Sequence, residues 1–142
     1  MAKATPDGDG RSIPGPAAGS AEDFQGFAPP YQNWFKVPNE LIVRLPEIRS
    51  QGELAVVLYC IRHTWGWGEF SQRITLDEFE HGRKRKDGSR MDQGVGMSHP
   101  SIIKGLKRAI EHGFLDVTEE GMDGGRMAKR YAVRVGGLPA DA

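Results

Sequence analysis

Between Met97 and Val117 the chain reads MSHPSIIKGLKRAIEHGFLDV, and its apolar positions recur at helical spacing. Ile102, Leu106, Ala109 and Ile110 fall on one stripe of a 3.6-residue period. Ser98 is a good N-cap, because its hydroxyl can accept from an orphan amide of the first turn. Met97 and Ile102 have hydrophobic-staple spacing around that cap. Pro100 sits in the first turn, where its missing N–H costs little. Gly113 predicts the stop, and Phe114 to Val117 reads as a short strand. The face opposite the stripe carries His99, Ser101, Lys104, Lys107 and Arg108. A basic, hydroxyl-bearing face opposite an apolar stripe suits a helix that enters a DNA major groove. It equally suits an amphipathic surface helix whose basic face is solvated.

The same pattern reading predicts the other elements. Val37-Pro38-Asn39-Glu40 opens a short helix through Leu41, Ile42 and Leu45, ending near Pro46. Ser50 and Glu53 have capping-box spacing, and the helix they start runs to about Thr64. Its expected buried stripe is Leu54, Val57, Leu58, Ile61 and Trp65, with Cys60 close by. Trp65-Gly66-Trp67-Gly68 is a turn whose two rings are expected to plug the core; base stacking is the functional alternative. Gln72 to Ile74 suits a short strand. Thr75 and Glu78 form a second capping box, which opens a helix over 76–81 that Gly82 stops. Gly82 to Gly96 is basic, with a turn signal at Asp87-Gly88, and reads as a small hairpin or loop. Thr118 to Met127 reads as a flexible polar tip. Ala128 to Val135 is a return strand, with Tyr131, Val133 and Val135 on one face and Arg130, Ala132 and Arg134 on the other. Helix, helix, strand, helix, basic loop, helix, strand, wing, strand is the order of a winged helix-turn-helix. The expected fold class is therefore α+β, mainly α, with a two-stranded β-wing.

Composition sets the boundaries. The chain has 142 residues, enough for one domain and not comfortably for two. Residues 1–30 are rich in Gly, Pro and Ala, and their start lacks large apolar side chains, so a disordered tail is expected there. Residues 31–135 are the expected domain and 136–142 a short C-terminal tail. No segment approaches a membrane span or the apolar core of a secretory signal. Cys60 is the single cysteine. That excludes an intrachain disulfide and a cysteine-based zinc site, and a cytoplasmic location is expected. Net charge is zero, from 19 basic and 19 acidic residues. The distribution is uneven: Arg83 to Val135 holds 12 Lys and Arg against 7 Asp and Glu, while Lys36 to Gly82 holds 5 against 7. The basic half is the one with the long amphipathic helix and the wing, so a basic face toward phosphates is compatible with the neutral sum.

Residues from about Phe35 to Val135 resemble the winged-helix N-terminal domain of phage replication initiators of the lambda replication-protein-O type and related replisome organisers. The resemblance is carried by VPNELI (Val37 to Ile42), GELAVVLYCIRHTWGWGE (Gly52 to Glu69), ITLDEF (Ile74 to Phe79) and GMSHPSIIKGLKRAIEHGFL (Gly96 to Leu115). The helix followed by an aromatic-glycine-aromatic turn is its more specific part. Two features depart from the family. A long basic loop over 83–95 replaces a brief turn, and the resemblance covers the DNA-reading module without the region that recruits a helicase or its loader. The resemblance implies DNA binding.

No nucleophile elbow, phosphate loop or zinc-ligand cluster appears in the sequence, so neither an enzyme, a cofactor nor a metal is expected. The expected partner is double-stranded DNA. His99, Ser101, Lys104, Lys107 and Arg108 would meet the groove. Arg83, Lys84, Arg85, Lys86, Arg90, Lys129 and Arg130 would hold phosphates. Proteins of a replication or other nucleoprotein complex, and a second copy of the chain, are further candidate partners. A small transcriptional regulator and a protein-binding winged helix that acts as adaptor or inhibitor are the rival functions.

Overall fold

The computed structural model describes residues 24–31, 33–123 and 126–136, with the backbone alone for 119–123 and 126–128. Two compact units divide the chain, Met1–Trp34 and Phe35–Ala142. In the first, the described residues form no helix or strand, and Phe24 meets Phe27 edge-on at 4.9 Å. The rest of the expected N-terminal tail, and residues 137–142, lie outside the described residues.

The second unit is a mixed α+β fold. Its elements are α1 (Asn39–Val43), α2 (Gln51–His63), β1 (Ser71–Thr75), α3 (Leu76–His81), α4 (His99–Glu111), β2 (Leu115–Asp123) and β3 (Arg126–Val133). Short 3₁₀ turns at Leu45–Glu47 and Trp65–Trp67 follow α1 and α2. Local chemistry sets the helix starts. Thr75 and Glu78 form the full reciprocal capping box of α3. Ser50 caps α2 through the Glu53 N–H at 3.1 Å, but the Glu53 side chain does not return to complete a box. It is buried and turns to His112, with Nδ1 2.5 Å from the carboxylate. A long-range side-chain contact has taken the place of a local cap.

The strands form one antiparallel sheet in the order β1-β3-β2. The expected two-stranded wing is thus part of a three-stranded sheet. β1 pairs with β3 from Ser71↔Ala132 to Thr75↔Ala128, which buries Ile74 beneath it. Pairing gives the β1 backbone its hydrogen bonds while its apolar side chain joins the core. The ladder of β2 and β3 runs out to Asp123 and Arg126, so most of the segment expected as a loose tip is strand. Residues 124 and 125 lie outside the described residues. A register shift between Val117 and Glu119 leaves Thr118 as an extra residue, a β-bulge that bends the hairpin.

The core joins α2, α3, α4 and the sheet. Val56, Cys60, Ile61, Phe79, Ile102, Ala109 and Leu115 are essentially inaccessible to solvent. Leu54, Leu58, Trp65 and Ile110 pack against this core while partly buried. A single stripe is too narrow a description of α2. Val56, Tyr59 and His63 are buried as well; α4 packs on α2, and Phe79, Glu78 and Asp92 of α3 and its following loop cover Tyr59 and His63. Trp67 does not plug the core. A 3₁₀ turn has three residues per turn, so residues two apart cannot share a face. Trp65 packs inward; Trp67 lies half-exposed with the Arg62 guanidinium over its ring at 5.4 Å and over Phe35 at 5.9 Å.

α2 and α4 approach unusually closely. A Cβ on Gly105 would lie 2.5 Å from the Gly52 carbonyl oxygen, and one on Gly52 would lie 3.0 Å from that of Ser101. Two glycines facing each other let the backbones meet and set where α4 sits.

Candidate nucleic-acid interface

The stripe predicted for α4 fixes its phase. Ile102, Gly105, Leu106 and Ala109 are buried. Ile103, Lys104, Lys107 and Arg108 are exposed. Ser98 caps the helix by accepting from the Ser101 N–H at 3.4 Å. Two residues assigned to this face have local partners. The Ser101 hydroxyl lies 3.0 Å from that of Ser98, and its half-buried backbone abuts Gly52. His99, still half-exposed, has Nδ1 3.7 Å from a Glu80 carboxylate oxygen.

Beside α4 lies an apolar groove of about 440 Å³. Ile74, Leu76, Leu106 and Tyr131 line it from the core side, and Ile103 and Ile110 from the helix. Lys107 of α4 and Lys129 of β3 line it together, with Glu111 as the acidic member. The fold thus brings a cation of the long helix and a cation of the hairpin to one groove, although 22 positions separate them in sequence.

The basic loop is folded, not loose. Lys84 and Arg90 form an isolated antiparallel bridge around the Asp87-Gly88 turn, and the Arg85 N–H donates to the Ser89 carbonyl at 2.8 Å. Ser89 donates both its hydroxyl and its N–H to Asp87, which holds that carboxyl below its usual range. Two of the loop's five basic residues are committed to the fold. Arg83 donates to the Arg73 carbonyl at 2.7 Å and to Glu78 at 3.2 Å. Arg90 donates to the Gly82 carbonyl at 2.7 Å and to Asp77 at 2.9 Å. Burial pushes the Asp77 carboxyl up, but Arg90, with Lys84 and His81 adding to it, brings the group below its ordinary value. Arg85 donates within the loop, to Ser89 and the Arg90 carbonyl. Lys84, Arg85 and Lys86 are exposed. In the sheet, Arg130 donates to the Ser71 hydroxyl at 3.2 Å and ties β3 to β1. Arg134 pairs across the hairpin with Asp116.

The loop is fastened to α2 by a cluster that the sequence did not reveal. Asp92 accepts from the Tyr59 hydroxyl at 2.8 Å and from the Gly94 N–H at 2.9 Å, and its other oxygen lies 2.9 Å from His63 Nε2. Burial pushes the Asp92 carboxyl up, but Gly94, Tyr59 and His63 together bring it below its usual range. Burial lowers the His63 imidazole further than Asp92 raises it, which favours the neutral ring donating from Nε2. Burial first, then Asp92, pushes the Tyr59 hydroxyl above the phenol range. Burial alone pushes the Cys60 thiol up, which leaves an inert core thiol. Glycine makes the loop's close approach possible. At Gly82 (φ 118°) a Cβ would overlap the Asp92 carbonyl, and at Gly94 (φ 75°) it would lie 2.5 Å from the Phe79 carbonyl.

Among the described residues, no group of three or more His, Cys, Asp and Glu is placed to hold a metal ion. No helix among them is long and apolar enough to cross a membrane. Comparison with protein-family models, curated proteins and solved structures finds no match to this chain.

Proposed function

We propose that this chain is a double-stranded-DNA-binding protein of winged helix-turn-helix type, with α3 and α4 as the helix-turn-helix and the β2–β3 hairpin as the wing. The observation that carries the reading is the shared groove: Lys107 on α4 and Lys129 on β3 line it together, and Lys104 and Arg108 are further exposed cations of α4. A helix and a hairpin that present cations on one side match a duplex that offers a groove flanked by phosphates. Exposed Lys84, Arg85 and Lys86 supply a second basic element; Arg83 and Arg90 serve the loop's own fold. The role is one of binding, not catalysis. Its assignment to phage or mobile-element replication, in preference to transcription, rests on the resemblance of residues 35–135 to replication initiators.

The test is binding of a short random-sequence duplex, followed by fluorescence anisotropy over a salt series. Each phosphate contact contributes about 0.9 to the log–log slope. The double variant Lys104→Ala/Lys107→Ala should lower that slope by up to about 2, because both side chains are exposed and neither supports the core. An unchanged slope places α4 away from phosphate.

A second reading has its own observation. Ile42 and Val43 of α1, with Phe70, are more than 60% exposed, on a molecule of zero net charge. Exposed apolar side chains of this kind fit an adaptor that binds protein. Absence of any duplex binding at low salt, with a partner protein retained, would select this reading over the first.

A further inference from the structure

We infer that Ile103 is a specificity-determining residue that reads the 5-methyl group of thymine in the major groove. The inference rests on the DNA-binding reading above and names what its central helix recognises. Ile103 is 46% exposed on α4, with exposed Lys104 next to it, exposed Lys107 one turn on, and exposed His99 and Pro100 one turn before. Its neighbour Ile102 is fully buried and supplies the apolar contact the core needs at that turn. Ile103 therefore belongs to the outer face. It lies one turn before Lys107, and both line the groove beside the sheet, together with Ile110 and Glu111 of the same helix.

The chemistry of that position limits what it can meet. The lysines that flank it have phosphate oxygens and guanine acceptors as partners. Isoleucine can donate and accept nothing. The floor of the major groove presents hydrogen-bonding edges at every base pair, and its apolar group is the methyl at C5 of thymine. An isoleucine flanked by Lys104 and Lys107 and brought to a base edge is favourable against that methyl and unfavourable against a bare polar edge. The β-branched side chain strengthens the match. Its χ1 is nearly fixed in a helix, so its methyls are presented at a set position with little rotamer entropy left to lose. The methyl of 5-methylcytosine stands at the same ring position, so the two sources share one chemistry. Thymine is the assigned source, and methylated cytosine is a separate arm of the test.

The experiment uses the full chain and a binding-site selection from a short random duplex library, at one fixed salt concentration. The selected duplex is then remade with deoxyuridine in place of thymidine, position by position. A parallel set carries 5-methylcytosine in place of cytosine. Expected is one position at which loss of the methyl weakens the parent about fourfold, the effect of one methyl-sized apolar contact. Ile103→Ala should bind the thymidine and deoxyuridine duplexes alike, and Ile103→Val, which keeps the branched carbon, should retain the preference. Both variants alter a half-exposed side chain, so the fold is kept.

Several results overturn the inference while leaving DNA binding intact. One is equal affinity for the thymidine and deoxyuridine duplexes at every position. Another is a methyl preference that Ile103→Ala leaves unchanged, which would assign the methyl to a different residue. A preference confined to 5-methylcytosine replaces thymine as the source. A parent chain that binds no duplex at low salt overturns the DNA-binding reading and this inference with it, whereas persistence of the Lys104 and Lys107 salt effect without a methyl preference overturns the inference alone.

Discussion

Asp92 shows how much one side chain decides here. It receives the Tyr59 hydroxyl, the Gly94 N–H and His63 Nε2, and so fastens the basic loop to α2. The shifts in this cluster give a signed pH dependence. His63 has a folded-state pKa below its unfolded value near 6.5. Its contribution is present above that value and lost as pH falls through the lower folded-state pKa. Asp92 is also lowered from its ordinary value of 3.8. Its contribution is present above that value and lost on further acidification, below the His63 step. Both shifts therefore predict a thermal midpoint that falls from neutral to mildly acidic pH and falls again in stronger acid. His63→Gln should flatten the first step and Asp92→Asn the second. Thermal unfolding across a pH series checks both. A midpoint that rises as pH drops below neutral would show a protonated His63 paired with Asp92, the opposite assignment.

The elements hold their positions through small contacts at few residues. α4 sits where it does because Gly105 faces Gly52 with no side chain between the backbones. Gly105→Ala gains about 1 kcal/mol of intrinsic helix propensity. The added methyl, however, meets backbone at 2.5 Å, and backbone cannot swing aside as a flexible side chain can. Overpacking of this kind costs about 1–3 kcal/mol, so the net change should be destabilising despite the better helix former. Urea unfolding with an unchanged m-value measures it; a net gain in stability would mean that the two helices separate freely. The contact of buried Glu53 with exposed His112 links the start of α2 to the residue just after α4, so helix register and helix contact are set together.

At the scale of the whole chain, the buried core found among the described residues lies within the unit from Phe35 onward. A chain starting at Phe35 should therefore keep the thermal midpoint of the full protein to within a few degrees, since burial of apolar surface supplies most of the stability. Differential scanning calorimetry of the two chains checks this, and a drop of many degrees would show that the first 34 residues contribute contacts to the fold. The same unit carries the basic half of the molecule, so charge segregates within a neutral whole. Segregation of that kind lets a protein of zero net charge meet a polyanion with one face.

What the sequence by itself determined was local. Caps at Ser50, Thr75 and Ser98, stops at Gly82 and Gly113, and the phase of α4 were legible because each depends on residues within one or two turns. The alternation of Tyr131 and Val133 located the inner face of β3 for the same reason. Tertiary structure alone decided whatever joins distant residues. Glu53 reads as half of a capping box, yet it pairs with His112, 59 positions away. Arg83 and Arg90 read as free cations in a basic run, yet carbonyls and carboxylates of β1, α3 and Gly82 hold them. Asp92, His63 and Tyr59 carry no shared motif, and β1 has no local sign of which strand it joins. Of the candidate interface, the α4 cations were readable from periodicity, whereas the placing of Lys107 and Lys129 on one groove was not. Periodicity reports which way a side chain faces along its own element; which elements face each other is settled by packing, where close approach at glycines and burial of charge select one arrangement.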